Sequence, residues 1–84
     1  MTTLEAALIK EQGVNFAVVV VKDHVLLNSN EAAKVREAMC FEFGCPVVLL
    51  GAGNHRTYGR PDLVRWLSSV SLGRLPWRRW NIAA

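Results

Sequence analysis

The sequence has no apolar segment long enough to cross a membrane. Its longest uninterrupted apolar run, Phe16–Val21, contains six residues, whereas a membrane-spanning helix needs about 20. The first residues, Met1–Glu5, contain neither the basic region nor the apolar segment of a secretory signal. These two absences predict a soluble, cytoplasmic protein that does not bind membranes.

Cysteine and histidine are scarce. The chain has two cysteines, Cys40 and Cys45, and two histidines, His24 and His55. Two cysteines do not build a disulfide framework, and a Cys-x4-Cys pair with two distant single histidines is not a usual zinc spacing. We therefore expect two free thiols, no bound metal and no cofactor.

Catalytic motifs are absent as well. No serine, histidine and acidic residue stand in a known catalytic spacing. Gly51-x-Gly53 lacks the third glycine of the dinucleotide-binding motif, and no Lys-Ser/Thr follows the glycines as in a Walker loop. The sequence favours a protein that binds a partner rather than an enzyme.

Two apolar runs give the strongest structural signal. Phe16–Val21 and Val47–Leu50 show no alternation of apolar and polar residues, which is typical of strands covered on both faces. Thr2–Gln12 predicts a helix, because Thr2 and Glu5 fit a capping box and Gly13 suits its C-terminal end. The segment that follows the first strand, His24–Leu27, fits either an extension of that strand or a loop.

Capping residues predict two further helices. Asn28 caps a helix over Glu31–Phe43, which Gly44 ends, and Pro61 begins a helix over Pro61–Val70. Arg56–Gly59 fits either a loop or a short strand that forms a hairpin with the second apolar run. Trp77–Ile82 predicts an edge strand, with Trp77 and Arg79 on one face and Arg78 and Trp80 on the other.

The order of these elements predicts one α/β domain over residues 1–84. We expect a small mixed sheet of three to four strands flanked by three helices, in which the two apolar strands are parallel. Apolar residues make up 51% of the chain. A core this small does not absorb all of that surface, so part of it is expected to face a protein partner or a second copy.

The segment from residue 44 to 73 is similar to the C-terminal half of thioredoxin- and glutaredoxin-like domains. Pro46 opens a strand, a glycine turn follows, and Tyr58–Val64 leads into a short helix. The resemblance implies a thioredoxin-like fold without its first strand and a cis peptide bond at Pro46. The Cys-x-x-Cys motif of the family is missing, so a redox function would be that of a degenerate oxidoreductase.

Positive charge is concentrated in the C-terminal third. Residues 1–55 contain four basic and six acidic residues, whereas residues 56–84 contain six arginines and one aspartate. Arginine suits bidentate contacts with phosphate or carboxylate and stacks on aromatic rings. The loop Gly51–Arg60, between a strand and a helix N-terminus, is a candidate anion site.

These patterns define the candidate binding residues: Asn54, His55, Arg56, Tyr58, Arg60, Arg74, Trp77, Arg78, Arg79 and Trp80. Tryptophan and arginine are enriched at protein interfaces, so the first hypothesis is a non-catalytic interaction module that uses an Arg/Trp-rich C-terminal face. The same residues suit nucleic acid or another polyanion, which is the second hypothesis. The degenerate oxidoreductase is the third.

Overall fold

A computed structural model of the chain describes residues 2–11, 13–53 and 56–82. Within these residues a five-stranded mixed sheet is flanked by three helices and a short 3-10 turn. The strands are β1 (Thr2–Glu11), β2 (Val14–Val21), β3 (Val47–Gly51), β4 (Thr57–Tyr58) and β5 (Trp77–Ile82). The helices are α1 (Asp23–Leu27), α2 (Ser29–Phe43) and α3 (Pro61–Ser68), and the 3-10 turn is Leu72–Arg74. The α/β class is confirmed, but the sheet has more strands than the sequence predicted.

The strand order across the sheet is β4-β3-β2-β1-β5. The two apolar runs form the neighbouring strands β2 and β3, which are parallel, as expected. All other neighbours are antiparallel. β4 and β5 therefore lie at opposite edges of the sheet. Of the two alternatives for Arg56–Gly59, the short strand is observed, since Thr57–Tyr58 pairs with Leu49 and Leu50.

The predicted helix over Thr2–Gln12 is wrong, because Thr2–Glu11 forms strand β1. β1 pairs with β2 through its second half and with β5 through its first half. Ala6 and Ala7, which pair with both neighbours, are fully buried. Gly13 adopts a left-handed φ of 77° in the reversal between Glu11 and Val14, which are register partners. A glycine with positive φ serves a helix end and a hairpin turn equally well, so the local signal had two interpretations.

The predictions for the helices α2 and α3 agree more closely with the structure. His24–Leu27 belongs to α1, neither a strand extension nor a loop. Asn28 caps α2 as expected, since its Oδ1 accepts hydrogen bonds from the backbone N–H groups of Asn30 and Glu31. Gly44 ends that helix with a left-handed φ of 66°. Helix α3 begins at Pro61 but ends at Ser68, two residues before the predicted end.

The sheet is covered on both faces. On the face that we call the α3 face, Phe16, Val18, Val48 and Leu50 pack with Leu63 and Leu67 of helix α3. On the opposite face, the α2 face, Ala17, Val19, Val47 and Leu49 pack with Ala32 of helix α2. Burial on both sides explains why the runs Phe16–Val21 and Val47–Leu50 contain no polar residue.

The thioredoxin-like resemblance stays a prediction. The fold that is observed is the broader α/β class, with a fifth strand that the resemblance did not include. The described residues contain no cis peptide bond, so the cis bond expected at Pro46 is not found. None of the described helices is long and apolar enough to span a bilayer.

Candidate functional site

The candidate binding residues are divided between the two edges of the sheet. Tyr58 lies on β4 and Arg60 follows it, whereas Trp77–Trp80 belongs to β5 at the far edge. Four strand spacings of about 4.8 Å place these edges about 19 Å apart. Asn54 and His55 lie outside the described residues. The sequence-predicted residues therefore do not form one continuous site.

The two tryptophans of β5 both anchor this strand to the domain. Trp77 faces the α3 side, where its Nε1–H donates a hydrogen bond of 2.7 Å to the carbonyl oxygen of Leu72. Trp80 faces the α2 side, where its Nε1–H donates to the carbonyl oxygen of Ala6 at 3.2 Å. The Trp80 ring also meets Phe43 edge to face, with 5.3 Å between ring centroids. The alternation of side chains along a strand predicted that the two tryptophans lie on opposite faces of the sheet. It did not predict their hydrogen-bond acceptors or the ring contact with Phe43.

The arginines next to these tryptophans are exposed. Arg78 and Arg79 lie opposite Ala6 and Glu5 of β1. Within the described residues neither arginine side chain makes a hydrogen bond or an ion pair. Arg74 is also exposed, at the end of the 3-10 turn on the α3 side. The Arg/Trp-rich segment thus presents a strand edge with arginines on alternate faces, rather than one face.

A second set of cations lies at the β4 edge. Arg36, Tyr58, Gly59 and Arg60 line one groove of about 260 Å³. Arg60 forms an ion pair with Asp62, with 2.9 Å between Nη2 and Oδ2. Arg36 lies on α2, outside the residues chosen from sequence. No sequence pattern links it to Arg60, because the two residues are 24 positions apart and meet only after β3 and β4 pair.

The loop after β3 uses its backbone donors within the protein. The N–H of Gly51 donates to the carbonyl oxygen of Arg56, and the N–H of Ala52 donates to that of Val21. The N–H of Gly53 donates to Oδ1 of Asp23 at 3.0 Å. These three donors are therefore engaged within the protein and are not available to an anion.

A larger cleft opens where strands β1 and β2 diverge. Their pairing ends at Ala6 and Val19, beyond which β1 continues beside β5 and β2 continues beside β3. The cleft has a volume of about 590 Å³, and its lining includes Glu5, Lys22 and Trp77. It lies beyond the carboxyl ends of the parallel strands, where open α/β sheets often bind ligands. Its carboxylate and ammonium groups balance each other, so the cleft does not favour an anion.

Both cysteines are free thiols, as expected. Burial raises the pKa of the Cys45 thiol, and the neighbouring Cys40 raises it further through charge repulsion. A redox-active thiol requires the opposite shift, because the thiolate is the reacting form. Among the described residues, no three histidine, cysteine or acidic side chains come together as a metal site.

We compared the chain with protein-family models, with curated proteins and with solved structures, and none of the three comparisons gives a match.

Proposed function

We propose that this protein is a small interaction module that binds an extended, acidic segment of a protein partner along the outer side of β5. The partner segment would add a sixth strand to the sheet. The observation that carries the proposal is an edge strand with two arginines, Arg78 and Arg79, that have no side-chain partner within the described residues.

An edge strand offers main-chain hydrogen bonds to a partner. Among the strands that the structure describes, only β1 pairs with β5, through the register of Thr2–Ala7. The strand has six residues, which corresponds to about 20 Å at about 3.3 Å per residue. Strand addition uses such an edge for affinity, while side chains on the two faces give specificity.

The strand is held in its binding geometry before any partner arrives. Trp77 and Trp80 tie it to the domain on opposite faces of the sheet through hydrogen bonds to Leu72 and Ala6. A strand fixed in this way loses little conformational entropy on binding, so more of the contact free energy becomes affinity.

The charges on β5 select the partner. Arginines on an edge strand oppose pairing between copies of the same chain, because two β5 strands would bring four guanidinium groups together. An acidic strand avoids this repulsion. Adjacent acidic residues in that strand would point to alternate faces and meet Arg78 and Arg79 separately. A polyanion is less favoured, since Arg56 and Arg60 follow β3 and β4 on the other side of the sheet.

The test uses a fluorescent eight-residue peptide with two adjacent acidic residues between valines, titrated against the whole protein. We expect binding that shifts the NMR signals of β5. The double variant Arg78→Glu/Arg79→Glu is expected to weaken it at least about tenfold, because attraction becomes repulsion. The control Arg65→Glu, at an exposed position of helix α3, should change the affinity less than about twofold.

A second peptide distinguishes strand addition from simple charge attraction. N-methylation of alternate amides removes main-chain donors without changing charge, so it should abolish binding to β5. Equal affinity of the methylated peptide would contradict the proposal. Binding of a short oligonucleotide in place of the peptide would favour a polyanion, and dimerisation at micromolar concentration would favour a second copy.

A further inference from the structure

The groove at the β4 edge contains a guanidinium group without a matching anion. Arg36 is only partly exposed. Its Nη1–H donates a hydrogen bond to the Sγ of Cys40 at 3.8 Å. Among the described residues no carboxylate lies within ion-pair distance of it. A charge that is partly removed from water and lacks an ionic partner favours the binding of an anion from solution.

A second arginine lines the same groove from a different element. Arg60 precedes helix α3 and is paired with Asp62, but the two side chains remain 49% and 58% exposed. This exposed pair is weak enough to be shared with a stronger anion. Tyr58, half-buried on β4, also lines the groove.

We propose that Arg36 and Arg60 bind the phosphate group of a small phosphate monoester. One guanidinium fork is enough for a carboxylate, whereas a phosphate dianion has three terminal oxygens and can accept hydrogen bonds from two forks. The groove volume of about 260 Å³ accommodates the phosphate group together with a small organic substituent. This site lies at the opposite sheet edge from β5 and does not depend on the partner proposed there.

The glycine in the groove has a structural role. A Cβ atom on Gly59 would lie 3.0–3.2 Å from atoms of Val47 and Val48 in strand β3. The glycine therefore permits close packing of the chain on the sheet. This packing fixes the positions of Tyr58 and Arg60 on either side of it, so that the groove exists before a ligand binds.

The experiment is an NMR titration of the whole, ¹⁵N-labelled protein with phenyl phosphate, inorganic phosphate, sulfate and acetate at constant ionic strength. We expect phenyl phosphate to shift the amides of Tyr58, Gly59 and Arg60 and the Nε signal of Arg36. Tighter binding of phenyl phosphate than of inorganic phosphate would identify an organic ester as the ligand class. Equal affinities for phenyl phosphate and inorganic phosphate would identify free phosphate as the ligand.

Two variants change the affinity in opposite directions. Arg36→Gln should weaken phenyl phosphate binding about tenfold, because one charge-assisted contact is lost, whereas the control Arg65→Gln should leave it unchanged. Asp62→Asn should strengthen binding about threefold, because Arg60 loses its competing carboxylate. The control for Asp62→Asn is Glu42→Gln, which also removes one negative charge but at an exposed position of α2.

Several outcomes would overturn the proposal. These are equal effects of Arg36→Gln and Arg65→Gln, no gain from Asp62→Asn beyond that of Glu42→Gln, or the same response to acetate as to phenyl phosphate. If Arg36→Gln disturbs the fold, the surface variant Asp62→Asn still decides the question. Failure of the acidic-peptide test at β5 would not affect these results.

Discussion

Gly59 shows how one small residue sets the distance between two elements. It follows β4, and a Cβ atom there would lie 3.0 Å from Cγ2 of Val48, 3.1 Å from its Cα and 3.2 Å from the carbonyl oxygen of Val47. Two of these atoms belong to the backbone of the buried strand β3, which cannot move without disturbing its pairing. From the sequence, this glycine was only the last residue of Arg56–Gly59, a segment that fits either a loop or a short strand.

The substitution Gly59→Ala is therefore expected to destabilise the protein by about 1–3 kcal/mol, the usual cost of overpacking. The matched control is Gly73→Ala, where a Cβ atom would meet nothing within 4 Å. That substitution should change the free energy of unfolding by less than about 0.5 kcal/mol. Urea unfolding followed by tryptophan fluorescence measures both free energies, and similar values for the two variants would contradict the packing argument.

At the scale of elements, local sequence signals specify helix α2 but do not specify strand β1. Asn28 and Gly44 define the two ends of α2 through a side-chain cap and a left-handed φ. Both features act within a few residues of the helix end, so the sequence contains them. The residues of β1 suit a helix equally well by propensity. Its state is decided by pairing with β2 and β5, which lie elsewhere in the chain.

Removal of the cap in Asn28→Ala should cost about 1 kcal/mol in the free energy of unfolding, because the N–H groups of Asn30 and Glu31 lose their acceptor. Asn28→Asp retains an acceptor and should restore most of that stability. The exposed variant Asn30→Ala is the control. Chemical unfolding of the three variants measures their free energies of unfolding. An unchanged free energy in Asn28→Ala would show that the cap does not stabilise the helix.

At the scale of the whole molecule, the two proposed sites are separated by the width of the sheet. The strands between them, β3, β2 and β1, are continuous in the sheet, and their central residues are buried. Charges about 19 Å apart are largely screened at physiological ionic strength, where the Debye length is about 8 Å. Coupling between the sites would need an element with two alternative arrangements, and the buried sheet offers none.

The affinity of the acidic peptide for β5 should therefore change less than about twofold when phenyl phosphate saturates the β4 edge. Two peptide titrations, with and without phenyl phosphate at matched ionic strength, measure this ratio. Arg36→Gln should likewise leave peptide binding unchanged. A change of more than about fivefold would show that the two ligands share a site or that the sheet transmits a rearrangement.

The candidate binding residues were predictable only in part. The alternation of Trp77–Trp80 gave the correct faces for the tryptophans, because the period of a strand is fixed by its geometry. Their hydrogen-bond acceptors, Leu72 and Ala6, depend on the turn before β5 and on its pairing with β1. The sequence grouped the arginines by their nearness in the chain, whereas the sheet places their segments at opposite edges.

The sequence by itself determined the centre of the sheet, the caps of α2 and the first residue of α3. Phe16–Val21 and Val47–Leu50 contain no polar residue to face water, and the residues that cap or begin α2 and α3 act on their immediate neighbours. Only the tertiary structure decided that Thr2–Glu11 is a strand and that Arg36 and Arg60 share a groove. Strand pairing and the convergence of distant side chains depend on contacts between residues far apart in the chain, and no local pattern specifies those contacts.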